Sequence, residues 1–297
     1  MANLSDYLRM VRFSHTVFAL PFAVLATFLA AHGGTGGFCG WGRLCLILVC
    51  MVAARNVAMT FNRIVDARID ARNPRTQNRE IPAGTITRRQ AWSYLLFNAV
   101  GFIATTGLFW LWFENPWPLR LAVPVLLFIC AYSLTKRFTL VCHFWLGASL
   151  MLSPLSAWIA ISPPDGPLIV PAVFYLGLAV LLWTAGFDII YACQDIEVDR
   201  RDGLHSLPSR LGVPVALWIS RISHSLCVTC LLMLAQTAQL GMIYLATVGV
   251  VALLLITEHI LVAGGKMRHL SLAFATINGV ISIILAVAGS LDIMLAR

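Results

Sequence analysis

The sequence predicts an all-α, polytopic membrane protein, and its composition, its apolar runs and its turn clusters are the three observations behind that prediction. Of the 297 residues, 59% are hydrophobic and 11% are charged, whereas a soluble globular protein carries about 25% charged residues. Apolar windows of about 20 residues, long enough to cross a bilayer, recur from one end of the chain to the other. Turn-forming clusters such as GGTGG at 33–37 and SPPDGP at 162–167 separate these windows. We expect one transmembrane domain covering residues 1–297.

Nine windows are predicted to be membrane-spanning helices. Their approximate ranges are 13–31, 41–62, 92–113, 119–135, 139–161, 168–190, 214–236, 240–263 and 270–294. The first window has no small-residue cleavage site with a soluble body behind it, so we interpret it as a span rather than a removable signal segment.

The distribution of basic residues predicts the orientation. The formal net charge is +8, and 17 of the 21 Lys and Arg residues lie in segments on one side if the N-terminus is cytoplasmic. The positive-inside rule then places the N-terminus inside and the C-terminus outside, and we expect a bacterial cytoplasmic (inner) membrane. A nucleic-acid partner is not expected, because the predicted fold offers no soluble domain with a basic face.

A first polar motif follows the second apolar window. In NRIVDARID, at 62–70, Asn62, Asp66 and Asp70 stand at i, i+4 and i+8. On a helix these positions share one face, so three oxygen-bearing side chains are expected to point the same way.

A second motif follows the sixth window. Asp188, Tyr191, Asp195 and Asp199 stand at i, i+3, i+7 and i+11, which predicts a second acidic stripe along one helical face. A basic tail follows each stripe, NREIPAG in one case and HSLPSRLG in the other. Glu197 and Asp202 fall off the stripe and are expected to be solvated charges.

Clustered aspartates repel one another, so two such clusters predict a shared cation. Charges at span ends often serve only to set topology, and that interpretation remains the alternative. Carboxylate and amide oxygens suit Mg²⁺, which is often bound together with substrate phosphates. The expected metal ligands are Asn62, Asp66, Asp70, Asp195 and Asp199.

Nearby basic residues could hold the phosphate oxygens that the metal leaves free. They include Arg63, Arg68, Arg72, Arg75, Arg79, Lys136, Arg137, Arg200 and Arg201. A phosphorylated head with an apolar tail among the helices describes a polyprenyl diphosphate.

These motifs resemble the UbiA-type family of intramembrane aromatic prenyltransferases. Its NxxxDxxxD motif matches residues 62–70, and its DxxYxxxDxxxD motif matches residues 188–199. The segments NPRTQNREIPAG and YSLTKRFT, the latter with Lys136 and Arg137, are also similar to the family. The resemblance implies a helical bundle around a central cavity open to the lipid. It also implies that the aspartates of both motifs bind the diphosphate through Mg²⁺ and that an aromatic ring attacks the allylic carbocation.

The resemblance also assigns residues to the aromatic acceptor. Arg55 lies within the second window, seven residues before Asn62, and is expected to clamp the acceptor's carboxylate. An intramembrane ion pair with Glu258 is the alternative. Arg12 is expected near the diphosphate, although topology explains it about as well. Asp188 is expected to act as the base that orients or deprotonates the phenol, or else as a partner of Tyr191.

The expected reaction is the prenylation of an aromatic carboxylate such as 4-hydroxybenzoate in ubiquinone biosynthesis. FSHTVFALPFA and GLHSLPSRLG are more similar to a subgroup associated with menaquinone synthesis through futalosine-type intermediates, which keeps a second acceptor open. A secondary transporter is the alternative of another class. It would place charged residues near the bilayer midplane, whereas here they gather at one edge.

Overall fold

The structure, a computed structural model, describes residues 3–12, 18–34, 38–262 and 270–295 of the 297. Their regular elements are α-helices, and we number twelve of them. These are α1 (Leu4–Met10), α2 (Leu20–Gly34), α3 (Trp41–Asp70), α4 (Arg88–Phe113), α5 (Trp117–Thr135), α6 (Cys142–Ile161), α7 (Pro171–Ala192), α8 (Ile196–Arg201), α9 (Leu207–Leu211), α10 (Val213–Thr237), α11 (Met242–Val262) and α12 (Leu270–Leu295). The predicted all-α fold class is therefore confirmed.

Eight of the described helices are long and apolar enough to cross a membrane. They are α3, α4, α5, α6, α7, α10, α11 and α12. The helix α2 is apolar but shorter, and residues 13–17, where the first predicted span begins, lie outside the described residues. The chain is thus an integral, multi-pass membrane protein, whereas the predicted count of nine spans is not confirmed.

The helix α7 lies at the centre of the bundle, packed between α6 and α10. Its Leu176, Val180 and Trp183 are almost fully buried. At Gly147, a Cβ atom would lie 2.3 Å from the carbonyl oxygen of Leu181, so only glycine permits the close approach of α6 to α7. A second group of helices, α3, α4 and α5, packs together beside this core.

The helix α3 extends eight residues beyond the predicted end of the second span. It continues through residues 62–70 and ends at Asp70, shortly before the Asn73-Pro74 pair, where the proline disfavours helical backbone at the residue before it. The first motif therefore lies on a continuous helix, as the i, i+4, i+8 spacing predicts.

The second motif does not lie on one continuous helix, and that prediction is wrong. The helix α7 ends at Ala192, and the amides of residues 193, 194 and 195 each bond to the carbonyl three residues earlier. This tighter winding ends the α-helix, and α8 begins at Ile196 with Asp195 as its N-cap residue. Asp195 therefore lies at the bend between two helices rather than on a stripe with Asp188.

Candidate active site

Asp66 is the most enclosed carboxylate of the first motif, with 2% of its surface exposed. Its Oδ2 accepts hydrogen bonds from Lys136 Nζ at 2.5 Å and from Asn62 Nδ2 at 2.9 Å. Its Oδ1 accepts from Arg137 Nη2 at 2.8 Å. Both cations belong to the segment directly after α5, so α3 and α5 converge on this carboxylate. Asn62 bonds to Asp66 across one helical turn, as their spacing predicts.

Asp70, one turn further along α3, is paired within its own loop. Both of its carboxylate oxygens accept from Arg79 Nη1, at 2.7 and 2.8 Å. Its backbone oxygen accepts from the hydroxyl of Thr76 at 3.0 Å. The loop after α3 thus folds back over the end of the helix that carries the first motif.

The same loop binds the second motif. Asn73 Nδ2 donates to Asp195 Oδ1 at 3.1 Å, while Arg75 donates to both Asp195 oxygens, from Nε at 3.0 Å and from Nη2 at 2.5 Å. Arg75 Nη1 also donates to the hydroxyl of Tyr191 at 2.9 Å. Burial alone would lower the pKa of Arg75, but the hydrogen bonds and the charge of Asp195 raise it above its usual value. Arg75 therefore links the two motifs.

Asp199 completes the second motif on α8 and accepts a hydrogen bond from the hydroxyl of Ser206. Burial raises the pKa of Asp199, and the negative charge of Asp195 raises it further, against the opposing effects of Ser206 and Lys136. Lys136 also pairs with Asp66, and its carbonyl accepts the amide of His205 at 2.7 Å. Lys136 is thus a second link between the motifs.

An apolar cavity of about 180 Å³ lies between α3, α4, α5 and α6. Along α5 its lining extends from Pro118 to Tyr132, a distance of about 21 Å at 1.5 Å per residue. Arg55 is its only charged lining residue among those described. Tyr132 lies about one helical turn before Lys136, which donates to Asp66, so the cavity approaches the first motif at this end.

Arg55 does not form the ion pair with Glu258 that the sequence leaves open. Its Nη2 donates to the backbone oxygens of Val11 and Arg12, at 3.4 and 3.2 Å, which hold it beside the C-terminus of α1. Glu258 instead accepts from Asn278 Nδ2 at 3.1 Å. That alternative is therefore wrong.

Several basic residues expected at the phosphate bond to no motif aspartate among the described residues. Arg12 and Arg68 are exposed, and Arg72, with 65% of its side chain exposed, lies 3.7 Å from Asp202. Arg63 is buried and donates from Nε to the backbone oxygen of Met10 and from Nη1 to Asn62 Oδ1, both at 3.2 Å. A role for these side chains in binding substrate stays a prediction.

The expectation that Asp202 is a solvated charge is wrong, whereas Glu197 is exposed as predicted. Only 6% of the Asp202 side chain is exposed, and its Oδ1 accepts from Arg201 Nε at 3.2 Å. Asp202 closes the end of α8 rather than facing solvent.

Sequence reasoning missed two residues of this site. Asn73 lies beyond the first stripe, and only its position before a proline could have marked it as the start of a structured turn. His143, on α6, contacts Asp188 but belongs to neither motif. The spacing of the motifs in the sequence therefore could not identify it as a site residue.

The donor set fits Mg²⁺ by its chemistry. Among the described residues, no three His, Cys, Asp or Glu side chains lie in an arrangement that could hold a metal ion by themselves. Mg²⁺ usually takes only one or two carboxylates and completes its shell with substrate phosphates and water. The carboxylates of the two motifs and the amide oxygen of Asn62 meet that requirement only together with a diphosphate.

The model of the UbiA prenyltransferase family matches residues 19–291. The chain belongs to this family. A match over most of the chain also confirms the resemblance that the two aspartate motifs indicate.

Three similar relatives are named as 4-hydroxybenzoate prenyltransferases. The human mitochondrial 4-hydroxybenzoate polyprenyltransferase is 30% identical over 74% of this chain and 57% of its own length. The Arabidopsis thaliana enzyme is 32% identical over 56% of this chain and 39% of its own length. These two matches therefore span less than two thirds of each relative. The 4-hydroxybenzoate octaprenyltransferase of Vibrio parahaemolyticus is 26% identical over 84% of both chains.

Solved structures of the family share the fold. An apo UbiA homologue from Aeropyrum pernix K1 superposes with a TM-score of 0.81 and 29% identity, over 92% of this chain and 96% of that one. A UbiA homologue from Archaeoglobus fulgidus bound to GPP and Mg²⁺ has a TM-score of 0.66 over 97% of this chain and 99% of that one. At 19% identity, this second likeness shows the fold alone.

Proposed function

We propose that the protein catalyses Mg²⁺-dependent transfer of a polyprenyl group from a polyprenyl diphosphate to an aromatic carboxylate such as 4-hydroxybenzoate. The observation that carries the proposal is the pairing of Arg75 and Asn73 with Asp195, which joins both aspartate motifs near one end of an apolar cavity. Diphosphate and metal would meet at the joined motifs while the isoprenoid tail lies in the cavity. The named relatives and the GPP-bound homologue support this assignment.

The basic residues among the carboxylates give the diphosphate its binding groups. Lys136, Arg137 and Arg75 each pair with a motif aspartate. When a diphosphate with its cation enters, these groups are expected to move from the carboxylates to phosphate oxygens, because Arg and Lys bind both anions well. Each bound metal ion would then take one or two carboxylates from Asp66, Asp70, Asp195 and Asp199, with Asn62 as a further oxygen ligand. Bound Mg²⁺ would neutralise the charge that builds on the departing diphosphate.

The reaction balances as an electrophilic substitution. The allylic carbon–oxygen bond breaks with its electron pair going to the diphosphate, and the ring forms a carbon–carbon bond to the resulting cation. The ring proton is then lost and aromaticity returns. The apolar cavity excludes water, which would otherwise capture the cation.

Arg55 and Asp188 are proposed to hold the acceptor. Arg55 is the charged group of the cavity lining, and its guanidinium can bind a carboxylate in a bidentate manner. In exchange, Arg55 would release the carbonyls of Val11 and Arg12. Asp188 would accept the phenolic proton and raise the electron density of the ring at the moment of attack.

The proposal includes the setting of the site. We propose that residues 1–297 act as one transmembrane domain in a bacterial cytoplasmic membrane, with the N-terminus and both motifs on the cytoplasmic side. The aspartates lie at span ends that carry most of the basic residues, which supports this orientation.

An acceptor screen tests the proposal. Purified protein would be incubated with Mg²⁺, a polyprenyl diphosphate and one acceptor at a time, including 4-hydroxybenzoate and a carboxylated futalosine-type intermediate, and products would be identified by mass spectrometry. We expect a prenylated acid whose formation stops with a chelator and resumes with Mg²⁺. Transport of a labelled solute by proteoliposomes, without any prenylated product, would instead support the transporter.

A further inference from the structure

His143 is a buried histidine that belongs to neither aspartate motif but contacts Asp188. It is the second residue of α6 and is 3% exposed. Its Nδ1 lies 2.7 Å from Asp188 Oδ2, and its Nε2 accepts the backbone N–H of Leu207 at 3.3 Å. The imidazole therefore joins α7 to the segment whose Ser206 bonds to Asp199.

The partners of the ring determine which nitrogen carries the proton. A backbone N–H can only donate, so Nε2 of His143 must be the acceptor nitrogen. The ring then carries a hydrogen on Nδ1, the atom that faces Asp188. An ionised carboxylate can only accept, so the contact is an N–H donated by His143 to Asp188. Both nitrogens are thereby engaged, and the ring cannot rotate without losing one bond.

This contact uses only one oxygen of the Asp188 carboxylate. Among the described residues, Asp188 Oδ1 has no hydrogen-bond partner, and 27% of the side chain is exposed. One oxygen is thus held by His143 while the other is available to a ligand.

We propose that His143 is a positioning residue that holds the Asp188 carboxylate oriented toward the acceptor's phenolic proton. The inference rests on the proposed function, because it takes Asp188 as the base of that reaction. His143 acts through Asp188 and touches neither substrate. It also makes the orientation of Asp188 depend on the segment at Leu207, next to the second motif.

A purely structural role is the competing explanation, in which His143 only anchors Leu207. The two explanations differ in which kinetic constant changes. An anchor near Asp199 would affect diphosphate binding and the thermal stability of the protein. A positioning residue for the base would affect turnover of the bound acceptor.

Two variants of the full-length protein, His143→Leu and His143→Gln, separate these explanations. Glutamine keeps an amide N–H donor and a carbonyl acceptor, whereas leucine has neither. We expect His143→Leu to lower kcat about a hundredfold, the typical scale of general base catalysis, without changing the KM for the diphosphate. His143→Gln should recover at least about tenfold of that loss. Equal losses in both variants, or a rise in the diphosphate KM as the main effect, would overturn the proposal.

A double variant gives the matched control. Because His143 acts through Asp188, adding His143→Leu to Asp188→Asn should slow turnover no further. A further loss comparable to that of the single His143→Leu variant would show that the histidine acts on something else. Melting temperatures of all four proteins identify any variant that fails to fold.

Nitrogen-15 NMR of histidine-labelled protein tests the contact without any turnover. The His143 signals would be assigned by their absence in His143→Gln, a variant that retains the other histidines. We expect Nδ1 to carry a proton, and we expect the ring's shifts to move in Asp188→Asn. A ring protonated on Nε2 alone would overturn the proposal. Absence of product from the wild-type protein with every acceptor would instead count against the proposed function, so the two failures are distinguishable.

Discussion

The two aspartate motifs use the same residue types on different supports. Asp66 and Asp70 lie on the last two turns of one continuous helix and are 2% and 5% exposed. Asp195 lies at a bend between α7 and α8, and Asp199 lies on the short α8. The first motif is thus built into the helix packing, whereas a loop holds the second in place.

This difference suggests separate tasks for the two sides of the site. Asp66 of the first motif is fixed by groups from α3 and from the end of α5, which move little in a packed bundle, although Asp70 also pairs with Arg79 of the loop. The second is held through side chains of the loop after α3, especially Arg75, and a loop can adjust more easily than a helix. We expect the first motif to define where the diphosphate binds and the second to close on it.

Replacing Asp66 with alanine should have the largest effect. The change removes a proposed metal ligand and leaves Lys136 and Arg137 without their carboxylate. We expect turnover to fall at least about a thousandfold and the free energy of unfolding to fall by about 2 kcal/mol. Product assays and thermal unfolding in detergent would measure both effects. An Asp66→Asn protein serves as control, since it keeps the side-chain volume and part of the hydrogen bonding. Unchanged turnover in Asp66→Ala would contradict the assignment of Asp66 as a metal ligand.

Replacing Asp195 with alanine should abolish most activity but cost less stability. Asp195 and its partner Arg75 are partly exposed, with 17% and 31% of their side chains accessible, so the freed guanidinium can be solvated. We expect a loss of turnover of about a hundredfold or more and a change in unfolding free energy of about 1 kcal/mol or less. A drop in stability as large as that of Asp66→Ala would show that the second motif is also built into the packing.

The different supports of the two aspartate motifs explain which parts of the site the sequence could predict. No glycine or proline interrupts residues 43–70, so helical spacing predicts correctly that Asn62 and Asp66 meet. The second motif has equally regular spacing, yet α7 ends within it because residues 193–195 adopt tighter i→i−3 bonds. Spacing alone does not reveal such a break, since the affected residues have ordinary side chains.

The partners of the site residues were harder to predict than the residues themselves. Arg75 was one of many basic residues near the motifs, and only the folded loop distinguishes it from the exposed Arg68. Likewise, the contact between His143 and Asp188 joins positions 45 residues apart. Such pairings depend on the tertiary packing of α6 against α7, which local periodicity does not describe.

Arg55 lies on the same helix as the first motif, seven residues before Asn62, so replacing it tests acceptor binding separately from diphosphate binding. We expect Arg55→Ala to raise the acceptor KM about thirtyfold, the equivalent of about 2 kcal/mol for a charged hydrogen bond. The KM for the diphosphate should stay the same, since Arg55 lies about 10 Å from Asn62 along the helix. Acceptor and diphosphate titrations measure the two constants separately. An unchanged acceptor KM would refute the clamp, and Arg55→Lys, which keeps the charge without the bidentate fork, should recover only part of the affinity.

Replacing Asp202 should have the smallest effect, and Asp202 is a matched comparison for Asp195. Both carboxylates contact arginines of the loop after α3, but Arg75 binds Asp195 through two nitrogens, at 3.0 and 2.5 Å, whereas Arg72 approaches Asp202 only to 3.7 Å. Arg72 is also largely exposed, and such ion pairs contribute about 1 kcal/mol or less. We therefore expect Asp202→Asn to keep turnover within about twofold and stability within about 1 kcal/mol, measured in the same assays. A loss as large as that of Asp195→Ala would mean that closure depends on the whole interface between the loop and α8 rather than on the Arg75 link.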